Sequence, residues 1–79
     1  MIVIVKLYGM LSRKVAGYEP DRGLEISVSE GATVGEVIGG IGIGSEESVV
    51  VVIDGEVAGA ETPVCSGSVL RVFQPLHGG

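Results

Sequence analysis

A chain of 79 residues forms a single domain, near the size at which one core only just outweighs the entropy of ordering the backbone. With 46% apolar residues, a mean hydropathy of +0.54 and only three aromatics, that core has to be built mainly of Val, Ile and Leu, which favours strands. A net charge of -5 argues against nucleic acid as a partner, and clean apolar runs of no more than five residues argue against a secretory leader or a membrane span.

Met1 to Gly9 alternates, with Val3, Val5 and Leu7 on one side and Ile4, Lys6 and Tyr8 on the other, and reads as a strand whose wet face carries Lys6. The alternation stops over Met10 to Ala16, where Leu11 and Val15 lie four apart before Gly17, and a short helix is expected there. Tyr18 to Gly23 is a polar loop. Leu24 to Val28 resumes the alternation, with Leu24, Ile26 and Val28 inward. Thr33 and Glu36 have the spacing of a capping box, in which hydroxyl and carboxylate satisfy free amides at a helix start, and Val34, Val37 and Ile38 supply the buried stripe. That helix should be brief, since each of Gly39, Gly40, Gly42 and Gly44 would cost roughly 1 kcal/mol relative to Ala inside it. The β-branched run Val49 to Ile53 has the composition of a central strand buried on both faces, and Asp54-Gly55 signals a hairpin into a short strand, Glu56 to Ala58. Pro63 and Ser66-Gly67 mark turns before a last strand, Val69 to Phe73.

Gln74 to Gly79 (Gln-Pro-Leu-His-Gly-Gly) follows that strand directly, and Pro75 argues against its continuing in a sheet interior. The expected division is a folded domain, 1–74, and a flexible tail, 75–79. Six extended residues reach at most about 20 Å, enough to enter a partner's active-site channel while the domain stays outside. Terminal glycines suit such threading, because without Cβ atoms they fit a narrow tunnel and leave the last carbonyl unhindered.

Four segments in order, Val-Lys-Leu-Tyr-Gly (5–9), Thr-Val-Gly-Glu-Val-Ile (33–38), Ile-Asp-Gly-Glu (53–56) and Pro-Leu-His-Gly-Gly (75–79), resemble the ubiquitin-like sulfur-carrier family. That family is represented by the small subunit of molybdopterin synthase and by the thiamine-pathway sulfur carrier. The resemblance covers essentially the whole chain and implies an α+β, β-grasp fold: a mixed sheet packed against one main helix. It departs at Cys65-Ser66-Gly67-Ser68, where relatives often place an Asp-Gly-Asp turn, and at His77, where they place a small or β-branched residue. The first bears on how a partner docks. The second leaves the chemistry intact, since the reacting group is the Gly79 carboxylate.

The resemblance implies that a separate adenylating enzyme uses ATP to join Gly79 to AMP, that sulfur then displaces AMP to give a thiocarboxylate, and that Gly78 keeps the approach open. The acceptor would be a pterin precursor held by a larger synthase subunit, or another sulfur acceptor. The chain is then a co-substrate and not an enzyme, with no bound cofactor or metal, and neither nucleic acid nor membrane is among its partners. The length and the helix at Met10 to Ala16 resemble the molybdopterin branch more than the shorter thiamine carriers. A protein modifier forming isopeptide bonds through Gly79 is a second class with the same tail chemistry, and a β-grasp binding module without that chemistry is a third.

Docking requires a surface as well as the tail residues Pro75, Leu76 and His77. Phe73 and Arg71 fall on the face opposite Leu70 and Val72, and in a β-grasp fold the first and last strands are neighbours. Ile4, Tyr8 and Phe73 then share an exposed apolar patch, the kind of feature that marks a partner site, unless Phe73 is simply core.

Other signals have plainer readings. The stretch Gly39 to Gly44 lacks the spacing of either phosphate-binding glycine motif and is read as a helix exit and loop. Cys65, the one cysteine, can form neither an internal disulfide nor a paired metal site, and is expected to be a small buried hydrophobe rather than a sulfur relay. A reducing, cytoplasmic setting fits it. His77 is read as a spacer, and Glu46-Glu47 as a solvated loop rather than a metal site.

Overall fold

The alternating and capped segments form their expected elements, and the computed structural model describes residues 1–42 and 49–74. In chain order these are β1 (Ile2–Leu7), a short 3-10 helix (Gly9–Lys14), β2 (Leu24–Ser27), α1 (Val34–Gly40), β3 (Val50–Ile53), β4 (Glu56–Ala58) and β5 (Val69–Phe73). They make one five-stranded sheet in the order β2-β1-β5-β3-β4. β1 and β5 run parallel, with Val5 beside Leu70 and Leu7 beside Val72, while every other neighbouring pair is antiparallel. This is the mixed-sheet β-grasp architecture.

One sheet face is closed by α1 and its flanking loops. Val3, Val5, Leu7, Val51, Leu70 and Val72 point into it and meet Val34, Val37 and Ile38 of the helix, with Leu11, Ala32 and Val64 sealing the ends. α1 starts where the capping box requires. The Glu36 amide donates to Thr33 Oγ1 at 3.3 Å and the Thr33 amide donates to Glu36 Oε1 at 3.3 Å, so the two residues satisfy each other's backbone. Two more first-turn amides, those of Val34 and Gly35, donate to the carbonyls of Thr62 and Ala60 at 2.9 Å each, which ties the 60–62 loop to the helix start. Asp54 and Gly55 both have positive φ, 53° and 82°, the signature of a two-residue type I′ turn between β3 and β4.

Three expectations change. The helix at Met10 to Ala16 is a 3-10 helix over Gly9–Lys14, which has no side-chain cap; only Leu11 is buried in it, and Val15 is already extended, so one anchor holds a turn but not an amphipathic helix. β3 is interior in the sheet but not buried on both faces: Val51 is buried, whereas Val50 and Val52 are half-buried because no helix covers their side. Cys65 is exposed and not a core residue. Val64 takes the core position, fixed by its amide donating to the Ala32 carbonyl at 2.9 Å, and the next residue is turned outward into a tight turn. In that turn the Ser68 amide donates to the Cys65 carbonyl and the Cys65 amide donates to Ser68 Oγ, each at 3.0 Å.

Candidate functional site: the open sheet face and the root of the tail

The sheet's second face carries the odd-numbered side chains of β5 and the even-numbered ones of β1. Register puts Ile4 beside Val69 and Lys6 beside Arg71, and the Tyr8 amide continues the ladder by donating to the Val72 carbonyl at 3.1 Å. Phe73 therefore arrives next to Tyr8. Their rings stack, with centroids 4.5 Å apart and planes 12° from parallel, an arrangement worth about 0.5–1.5 kcal/mol beyond area burial. Phe73 remains 37% exposed despite this contact, so it is a surface residue and not core. On its other side it is paired with Val50, and Arg71 with Val52, which extends the apolar face across β3.

Tyr8 and Phe73 stand where β5 hands over to Gln74, and Met10, 67% exposed at the start of the 3-10 helix, follows Tyr8 at the same end. The structure thus joins two of the sequence-derived docking residues directly. Ile4 shares their face but sits one row beyond Lys6 and Arg71, so the apolar surface is divided by a charged row rather than continuous. Pro75, Leu76, His77, Gly78 and Gly79 lie outside the described residues, as do Gly44, Glu46 and Glu47.

Local backbone demands hold this face in shape. Gly23 precedes β2 with φ 72°, and a Cβ there would come within 2.9 Å of the Val5 carbonyl oxygen. Only glycine meets both conditions without a shift. Tyr18 caps the upper end of β1 on the same edge: its hydroxyl accepts from the Leu7 amide at 2.8 Å and donates to the Leu7 carbonyl at 3.3 Å, replacing the partner that β2 is too short to provide. Sequence reasoning did not find the contributions of Val50, Val52 and Tyr18. An unbroken valine run carries no alternation from which an open face can be read, and a single loop tyrosine does not announce its acceptor.

Among the described residues no helix is long and apolar enough to cross a membrane, and no cluster of His, Cys, Asp and Glu forms a metal-ligand set. The ThiS family's sequence profile matches residues 5–79. The chain belongs to the ThiS family. This ThiS-family chain has solved structural neighbours that are ubiquitin-like. SAMP1 from Haloferax volcanii superposes with a TM-score of 0.73 at 26% identity, with 100% of each chain covered. A second structure of that organism's small archaeal modifier protein 1 gives 0.73 at 25% identity, covering 95% of this chain and 98% of the other. A candidate molybdopterin converting factor, subunit 1, from Pyrococcus furiosus gives 0.73 at 27% identity, covering 96% and 99%. No curated protein sequence matches. The fold of this ThiS-family chain is thus that of small ubiquitin-like sulfur carriers and of a small archaeal modifier protein.

Proposed function

We propose that the protein is a sulfur carrier that works through the carboxylate of Gly79, and that the open sheet face presents it to an adenylating enzyme. The observation that supports this reading is the exposed Tyr8–Phe73 stack at the end of β5, five residues before Gly78-Gly79 in the sequence. A partner that grips the stack holds the chain at the point from which the tail departs. Pro75, Leu76 and His77 then line the entry of the tail into the partner's channel.

The chemistry requires activation because a carboxylate is a poor electrophile. One Gly79 carboxylate oxygen attacks the α-phosphorus of ATP, pyrophosphate leaves, and the product is an acyl adenylate. A sulfide or persulfide sulfur adds to the Gly79 carbonyl carbon and expels AMP; a persulfide's remaining S–S bond is then cleaved by a thiol. The thiocarboxylate donates its sulfur to an acceptor, and hydrolysis restores the carboxylate. The chain is a co-substrate, and the nucleotide belongs to the activating enzyme. For the acceptor we favour a pterin precursor on a larger synthase subunit, on the likeness to the Pyrococcus furiosus protein and on the 3-10 insertion after β1. The thiamine pathway is the alternative within the same chemistry.

A second reading, isopeptide attachment of Gly79 to protein lysines, is favoured by the equal superposition on the Haloferax volcanii modifier. Intact-mass measurement after incubation with ATP, a sulfur donor and the adenylating enzyme of the same organism separates the two. A gain equal to sulfur replacing oxygen, absent from a Gly79-deleted control, supports the carrier; adducts of protein mass without sulfur support the modifier. No gain with any adenylating enzyme rejects both.

A further inference from the structure

The open face carries a feature that apolar docking does not explain. Lys6 and Arg71 are direct cross-strand neighbours on the parallel β1–β5 pair, on the same face and at its middle. Like charges placed directly opposite one another destabilise a sheet, and this chain has ten acids against five cations from which an opposite pair could be drawn. The remaining direct cross-strand partners of the two are uncharged, although Asp54 lines the same shallow depression as Arg71. Across β1 from Arg71, the register brings Lys6 to Gly23, which has no side chain, and the Lys6 Cγ lies 3.2 Å from where a Gly23 Cβ would be. Across β5 from Lys6, Arg71 faces Val52, which in turn faces Val57. The acids nearest by register are Glu25, opposite Ile4, and Asp54, next to the row of Val69, and among the described residues neither makes an ion pair with Lys6 or Arg71. The row Val57, Val52, Arg71, Lys6 thus crosses four strands with two cations and no anion.

We infer that Lys6 and Arg71 form a cationic bar that reads carboxylates on the docked protein, so the face accepts a partner whose apolar surface carries a pair of Asp or Glu side chains opposite the bar. This rests on the carrier reading and names the partner surface it requires. The charge sign selects the occupant. A second copy of this chain stacked face to face would set cations against cations at the centre, whereas an acidic protein surface neutralises both at once. Apolar contact at Tyr8, Phe73, Val50 and Ile4 on either side supplies adhesion, and the bar supplies orientation and rejection of partners that lack the carboxylates.

The test is the activation reaction with the adenylating enzyme of the same organism, measured over a range of carrier concentrations. Reversing both charges (Lys6→Glu with Arg71→Glu) should raise KM about 100-fold with kcat changed by less than about 3-fold, the split expected when an interaction made equally in ground and transition states is removed. Arg71→Glu alone keeps the test valid should the half-buried Lys6 position not tolerate a carboxylate. It should raise KM about 10-fold, and its melting temperature should equal or exceed the parent's, because the introduced carboxylate would sit opposite Lys6 as an attractive pair. Arg22→Glu, the same charge change beside Glu19 in the loop before β2, should alter KM by less than about 3-fold, which separates the bar from net charge. Unchanged KM in the reversed variants, a fall in melting temperature for Arg71→Glu, or self-association of the parent through this face in sedimentation would each overturn the inference while leaving the carrier reading intact. A parent that is never activated removes the carrier reading and this inference with it.

Discussion

The two faces of the sheet are both rich in valine and isoleucine and end in opposite states. On one, Val3, Val5, Leu70 and Val72 are fully buried under α1; on the other, Ile4, Val50, Val52 and Phe73 are half-buried or exposed. Charge tells the two faces apart only in part: the open face carries Lys6, Arg71 and Glu25, yet most of its remaining side chains are as apolar as the buried ones. What separates their burial is whether the chain supplies a layer to cover them: among the described residues, α1 and the loops that brace it lie on one side only. On the proposed function, this open face with its stacked aromatic pair at the end of β5 is the docking surface rather than an unfinished core.

Substitutions that treat the faces differently sharpen this contrast. Leu70→Ala, in the closed face, should cost about 2–5 kcal/mol by chemical denaturation, most or all of the stability of so small a domain, and leave much of it unfolded. Gly23→Ala attacks the frame between the faces: with φ 72° and the Val5 carbonyl in its way, it should destabilise by about 1–3 kcal/mol, read as a lower denaturant midpoint with unchanged m-value. Phe73→Ala, in the open face, should cost about 1–2 kcal/mol, the stack with Tyr8 plus the partial burial of the ring, and leave the domain folded, yet should abolish activation in the intact-mass assay. Thr33→Ala removes the N-cap of the helix that covers the buried side and should cost about 1 kcal/mol, again read from the denaturant midpoint. If Phe73→Ala instead unfolds the domain as Leu70→Ala does, the distinction between the faces fails.

The local pattern was legible where one short stretch of chain carries its own physical cause. Alternation located β1, the turn signals at Pro63 and Ser66-Gly67 set off β5 as Val69–Phe73, the Thr33/Glu36 spacing located α1, and Asp54-Gly55 located the hairpin. Legibility ended where local pattern was ambiguous. Val49 to Ile53 looked buried on both faces because every residue in it is apolar, and Cys65 looked buried because lone cysteines mostly are. Within the site, the adjacency of the first and last strands came from the family resemblance and not from any residue in either strand.

By itself the sequence determined which segments are strands and helix, where they start and turn, and which side of each alternating strand is inward, because those follow from side-chain period, capping and φ restrictions over a few residues. Only the tertiary structure decided what stands beside what. The parallel pairing of β1 with β5 brings together positions more than sixty residues apart, stacking Tyr8 on Phe73 and setting Lys6 against Arg71. Burial works the same way: the one-sided placement of α1 makes Val51 core and leaves Val50 and Val52 open, although all three are the same residue in one strand. Register and layer coverage are properties of the assembled sheet, and no short-range pattern encodes them.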